Sequence, residues 1–207
     1  MRLLPAAQRT RVIRCAVILL GIAIAAGAAP ALSRGDPARG ETKSATCGSC
    51  HGSPQTPALA SMPYLAGQQE EYLVLQMVLL REGLRDVPQM TALLKGLTDP
   101  DLEDIAAYFS RQSPPASNSK PDPQLHARGA QLAKVMGCGS CHLQDYRGQK
   151  QVPRISNLRE DYLVATLKAY RDNKRTGNDT NMNGMLYRVP DGDIQALAHY
   201  LANVSDK

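Results

Sequence analysis

The chain has 207 residues, of which 43% are hydrophobic and 21% charged, and a formal net charge of +5. That length allows one or two small domains. Four basic residues and no acidic ones fall in residues 1–31, so the positive balance sits at the N-terminus and does not read as a nucleic-acid signal. Residues 32–113 carry 7 basic and 10 acidic side chains, and residues 114–207 carry 13 and 9, so the remainder is nearly neutral but polarised.

Arg2, Arg9, Arg11 and Arg14 form a positive n-region, residues 15–29 are apolar, and Ala29-Pro30-Ala31 offers small residues for cleavage. This pattern predicts a signal peptide over 1–31, rather than an uncleaved anchor, because the apolar run is short for a membrane span. Cys15 lies inside this signal after Arg14, without the small residues that precede a lipid-modified cysteine, and receives no role.

Residues 47–51 read Cys-Gly-Ser-Cys-His, and residues 138–142 repeat them. Two thiols followed directly by an imidazole is the spacing that attaches a c-type haem. The thiols of Cys47 and Cys50, and of Cys138 and Cys141, add to the vinyl groups. His51 and His142 then stand as first axial ligands. A zinc pair of CxxC motifs would leave both histidines idle, and a thioredoxin-like CxxC follows a strand, whereas the flanks here are helical. Two covalent haem c groups are therefore expected. Such attachment takes place outside the bacterial cytoplasm, which places the mature chain in the periplasm.

The elements recur at a spacing near 90 residues. Asp36-Pro37 starts a first helix, with aspartate as cap and proline in the first turn, running into Cys47. Residues 70–81 follow with Leu73, Met77 and Leu80 on one side. Thr98-Asp99-Pro100-Asp101 caps a helix with a stripe of Leu102, Ile105, Ala106 and Phe109. In the second half, Glu160-Asp161-Tyr162-Leu163-Val164 matches Glu70-Glu71-Tyr72-Leu73-Val74, Arg171 and Arg175 match Arg81 and Arg85, and Asp193 and Tyr200 match Asp101 and Tyr108. The drift from 90 to 92 residues places a two-residue insertion in a loop around residues 177–181. The proline-rich stretch 113–124 reads as an extended linker, since prolines interrupt helix and central strand alike. The expected organisation is all-α: a helical domain over 32–112, a linker over 113–124 and a second domain over 125–207. With no Trp and one Phe in the chain, each core is thin. A domain this small then leans on its haem for apolar bulk.

The duplication also filters the sixth-position ligand. Met62, Met77, Met136 and Met185 have no methionine counterpart, whereas Met90 and Met182 match one another, 39 and 40 residues after their histidines. Both fall in loops before the last helix of their half and are assigned as second axial ligands, with Met185 the rival in the second half. Methionine opposite histidine raises the potential and closes the iron to substrates. No catalytic residue is therefore assigned, and the chain is not expected to be an enzyme. His126 and His199 read as surface or packing residues. Pro63, Pro153 and Pro57 are candidates to offer a carbonyl to the proximal imidazoles. Arg81 and Arg171 could pair with haem carboxylates. Gly40 and Gly129 could permit a close crossing of first and last helices beside Tyr108 and Tyr200.

The CxxCH pair, the segment Pro63-Tyr64-Leu65-Ala66-Gly67-Gln68 with its tyrosine-bearing helix, and the two methionine segments together resemble the cytochrome c4 family of dihaem class I cytochromes c. The resemblance spans most of residues 35–205. It implies two tandem class I cytochrome c domains, with haem carboxylate edges facing one another and His/Met ligation at both irons. It also implies a periplasmic electron carrier between respiratory or dehydrogenase donors and a terminal acceptor such as an oxidase. Partners would be redox proteins, some within a membrane-bound complex, with no nucleic acid and no small-molecule substrate. The second half departs from the pattern, with Leu143 where the first has Gly52 and Ile155-Ser156-Asn157-Leu158 where it has Leu65-Ala66-Gly67-Gln68. This difference keeps open a second role, as the electron-transfer subunit of a dehydrogenase or sulfur-oxidising complex.

Overall fold

The computed structural model describes residues 35–53, 56–114, 120–175 and 180–204. The expected signal over 1–31 and most of the expected insertion site near residues 177–181 lie outside them. Ten helices follow in order among the described residues: α1 Pro37–Lys43, α2 Gly48–His51, α3 Glu70–Arg81, α4 Pro88–Leu94, α5 Asp99–Ser110, α6 Pro123–Val135, α7 Cys138–His142, α8 Glu160–Arg171, α9 Asn181–Leu186 and α10 Asp191–Ala202. Extended pairing among the described residues is limited to two isolated bridges, Ser53 with Thr56 and Gln149 with Val152. The five-helix order therefore occurs twice.

Local chemistry accounts for the helix starts. Asp36 accepts hydrogen bonds from the Ala38 and Arg39 amides, and Asp122 from those of Gln124 and Leu125. In both cases proline fills the first helical position, where its missing N–H costs nothing. The same chemistry makes α6 begin at Pro123, inside the stretch read as extended. Thr98 and Asp101 form the reciprocal capping box expected for α5. The first helix is shorter than expected: α1 ends at Lys43, and turns over 44–47 separate it from α2.

Two interior clusters result. One gathers Leu73, Met77, Leu80, Leu94, Leu102, Ile105, Ala106 and Phe109 from α3, α4 and α5. The other joins Leu163, Leu167, Leu186, Ile194, Leu197 and Leu201 of α8, α9 and α10 with Ala58 and Tyr64 from the first half. In each half the first and last helices touch at a glycine. A Cβ on Gly40 would lie 1.9 Å from the Asp104 carbonyl oxygen, and one on Gly129 would lie 2.1 Å from that of Ala196. No side chain fits at such approaches, so the expected glycine crossings are present.

The halves also bond to one another within one compact unit. The buried Gln68 side chain donates to the Arg154 carbonyl at 3.0 Å and accepts from the Arg154 amide at 2.7 Å. Asp161 accepts from the Ser61 amide at 2.9 Å, and Arg159 donates to the Ala58 carbonyl at 3.2 Å. Among the described residues, no helix is long and apolar enough to cross a membrane.

Candidate metal centres

Each CxxCH run forms a single helical turn, α2 or α7, that ends on its histidine. A turn of this kind puts the second cysteine and the histidine one residue apart on a rigid backbone, with the first cysteine a turn behind. All four thiols are unpaired. Burial pushes the Cys47 and Cys138 thiols up, which holds them in the neutral form.

Both histidines are buried, and burial lowers their basicity. The His51 Nδ1–H donates to the Pro63 carbonyl at 2.9 Å, and the His142 Nδ1–H to the Pro153 carbonyl at 2.8 Å. A carbonyl can only accept, so the proton sits on Nδ1 and Nε2 presents its lone pair. That is the arrangement a metal-bound imidazole needs, with ring orientation set by the backbone. Pro63 and Pro153 hold the positions anticipated for them, and Pro57 does not compete.

Met90 and Met182 lie not in loops but in the short helices α4 and α9. Proline at position 88 and the six-residue run from Asn181 provide just enough local order for a turn before the chain enters α5 or α10. Met90 packs against the same apolar cluster as Cys47, and Met182 against the same cluster as Cys138. Met185, the rival, is 46% exposed, and Met62 is 39% exposed. The structure thus brings a cysteine pair, a Nδ1-anchored imidazole and an inward methionine to each half.

Neutral thiols, a neutral imidazole and a soft thioether beside an apolar cluster fit a covalently held haem in each half. A zinc site fits less well, because no group of three or more His, Cys, Asp or Glu able to hold an ion occurs among the described residues.

One expectation changes. Arg81 and Arg171 are committed to the ends of helices. Arg81 binds the Leu97 carbonyl, Asp99 and Glu82, and Arg171 binds the Val189 carbonyl, Asp191 and Asp172. Each clamps the end of one helix to the start of the last. His199 is a packing residue, one of the two readings expected for it. It is buried, donates to Glu160 at 2.9 Å and accepts the Asp122 amide at 2.8 Å. His126 is partly buried, with its ring edge-on to Tyr200 at 5.0 Å. Sequence reasoning passed over Arg85 and Arg175. Their 90-residue pairing was visible, but nothing in the sequence told them apart from Arg81 and Arg171, one turn earlier, which carboxylates hold.

Comparison with known proteins adds to this geometry. The family model described as "Cytochrome c" matches residues 126–205. The chain is 36% identical over 178 residues to cytochrome c4 from Pseudomonas aeruginosa, covering 81% of this chain and 88% of that protein. It is 30% identical over 175 residues to a thiosulfate dehydrogenase electron acceptor from Thiomonas intermedia, covering 77% and 79%. The crystal structure of reduced recombinant cytochrome c4 from Pseudomonas stutzeri superposes with a TM-score of 0.76 at 33% identity, covering 83% of this chain and all of that one.

Proposed function

The chain belongs to the cytochrome c4 family, and on that footing we propose that residues 32–112 and 125–207 are two haem domains of a periplasmic electron relay, ligated by His51 and Met90 in the first and His142 and Met182 in the second. It is a dihaem electron carrier that binds two covalent haem c groups, and its partners are redox proteins. Cys47 and Cys50 tether one haem, and Cys138 and Cys141 the other. When bound, haem supplies reversible one-electron chemistry at iron.

The protein residues set the conditions for that chemistry. Pro63 and Pro153 orient the imidazoles and raise their donor strength through the Nδ1 hydrogen bonds. The Met90 and Met182 thioethers would serve as the second ligands of the irons, where they would favour the reduced state and leave no position for a substrate. No side chain has to move a proton. The observation that carries this reading is the doubled set: each half presents the same thiol pair, the same anchored imidazole and a methionine packed into the cluster that its first cysteine joins.

The test is ligand removal in the holoprotein. Met90→Ala and Met182→Ala should each erase one of two low-spin His/Met signatures and lower one midpoint potential. Met185→Ala should leave both intact. If Met182→Ala changes nothing and Met185→Ala removes a signature, the assignment in the second half is wrong.

A second reading, a subunit feeding on a catalytic partner, draws support from the similarity to the thiosulfate dehydrogenase electron acceptor. Affinity capture of the tagged holoprotein from a periplasmic extract separates the two. A stoichiometric catalytic partner favours the subunit, and a lone dihaem protein favours the free carrier.

A further inference from the structure

The peptide unit between Pro153 and Arg154 carries two hydrogen bonds of different origin. Its carbonyl, on Pro153, accepts the His142 Nδ1–H at 2.8 Å. Its N–H, on Arg154, donates to Oε1 of Gln68 in the other half at 2.7 Å. The Gln68 side chain is 5% exposed, and its Nε2 donates to the Arg154 carbonyl at 3.0 Å. One side-chain amide therefore grips both backbone groups of Arg154, as a strand partner would.

The second half fixes the same peptide from its own side. Gly148 is buried, with φ +75°, and a Cβ there would lie 2.3 Å from the Pro153 carbonyl carbon and 2.5 Å from the Arg154 nitrogen. Only glycine lets the loop lie this close. The Gly148 amide donates to the His142 carbonyl at 2.9 Å. The carbonyl that orients His142 is thus held between its own loop and a glutamine 86 residues from Arg154 in sequence. The first half differs. Pro63 accepts the His51 Nδ1–H at 2.9 Å, but Leu158 stands where a matching glutamine would, buried in the second core with a side chain that neither donates nor accepts.

Hydrogen bonds in series polarise one another, so a peptide whose N–H donates becomes a stronger acceptor at its carbonyl. A stronger acceptor draws on the Nδ1 proton and raises the donor strength of Nε2. We propose that Gln68 of the first half is a positioning residue for the second haem. It sets the strength of the Pro153–His142 hydrogen bond from across the seam and holds the potential of the second iron down. This rests on the reading that His142 is the axial ligand of that haem. A better imidazole donor stabilises oxidised iron, and hydrogen bonding of this kind is one of the protein's levers on haem potential. Two irons given the same ligands by the same motif are set apart by one amide that only one of them receives.

The experiment uses the full holoprotein labelled with nitrogen-15, as the parent, Gln68→Met, Gln68→Glu and Gln69→Ala. Magnetic resonance follows the His51 and His142 ring N–H signals in the reduced protein and through a redox titration, which assigns each midpoint to its haem. Methionine nearly matches glutamine in length and restores neither bond. In Gln68→Met the His142 Nδ1–H signal should move upfield and exchange faster with water. The second midpoint should rise by about threefold in the reduction equilibrium, about 28 mV for one electron. The His51 signal and the first midpoint should stay in place. Glutamate keeps an acceptor oxygen for the Arg154 amide in either protonation state, so Gln68→Glu should hold the second midpoint at or below the parent's. Gln69→Ala removes a neighbouring bond across the seam, from Nε2 to the Arg147 carbonyl at 2.8 Å, and should match the parent. An unchanged or lowered second midpoint in Gln68→Met, or equal shifts of both midpoints, overturns the proposal while leaving the ligand assignment untouched. A parent in which the His142 ring lacks the ring-current shift of a bound haem overturns both readings. If Gln68→Met does not accumulate with two haems, Gln68→Glu decides: a second midpoint at or below the parent's supports the proposal and a rise overturns it.

Discussion

The two halves solve one packing problem in different ways. In each, the first helix crosses the last at a glycine, and the amide of the capping aspartate points at the last helix. In the first half the Asp36 amide meets a carboxylate, Asp104 Oδ1 at 2.6 Å. Asp104 is 1% exposed and also accepts Arg39 through two nitrogens at 2.8 Å and Lys43 at 2.6 Å. In the second half Ala196 takes the place of Asp104, Leu132 that of Lys43, and Arg128 turns outward to Asp193. The Asp122 amide is met instead by Nε2 of His199, whose Nδ1–H is held by Glu160. The repeat preserves the backbone group to be satisfied and leaves open which side chain satisfies it.

Substitution at the shared element should have the largest effect. Gly40→Val or Gly129→Val would drive a side chain into backbone about 2 Å away. Each should cost about 3 kcal/mol or more, enough to remove most of a small domain's stability. Thermal unfolding followed by circular dichroism would register it, and a melting temperature near the parent's would refute the close crossing.

The differing elements come next. Asp104→Ala leaves Arg39 and Lys43 without their shared carboxylate. The loss should be about 2 kcal/mol, below the range for a fully enclosed pair because Arg39 stays open to water. The same site carries a pH dependence. Arg39, with Lys43, holds the Asp104 carboxyl well below the usual carboxylate range. A carboxyl depressed in the folded state stabilises above its unfolded value near 3.9 and loses that contribution as pH falls through the folded value. Acid unfolding of Asp104→Asn should therefore be less steep below about pH 4 than that of the parent.

His199→Ala is expected to cost about 1–2 kcal/mol, from one stranded amide and from a Glu160 carboxylate left with Gln195 as its donor. It should lower the stability of the second half while the first-half haem spectrum stays unchanged. A loss felt equally by both haems would show that the two halves unfold as one.

The smallest effect concerns the residue after each CxxCH. Gly52 has φ +78° and ψ 172°, and Leu143 has φ +66° and ψ 164°, the same conformation, which glycine tolerates and leucine does not. Leu143→Gly should stabilise the second half by about 1 kcal/mol, measured as a rise in denaturant midpoint at constant slope.

Gln68 shows how far the sequence could be followed. Its replacement by Leu158 in the second copy was legible as a departure, without any visible purpose. In the fold, Gln68 crosses to the Arg154 backbone of the other half, whereas Leu158 is buried in the second core. His199 was likewise legible as unmatched, since the first half has Ala107, but its partners Glu160 and Asp122 lie 39 and 77 residues away in sequence.

The sequence by itself determined the thiol pairs, the anchored histidines, the helix caps, the duplication and the choice of Met90 and Met182 as the matched methionines. These depend on local spacing, or on the same residue recurring in register. Only the tertiary structure decided which arginines meet a carboxylate and which meet neutral groups, what meets each capping amide, and where the halves bond to one another. Those outcomes depend on which charges and amides are brought together from distant parts of the chain and withdrawn from water, and no local pattern encodes that proximity.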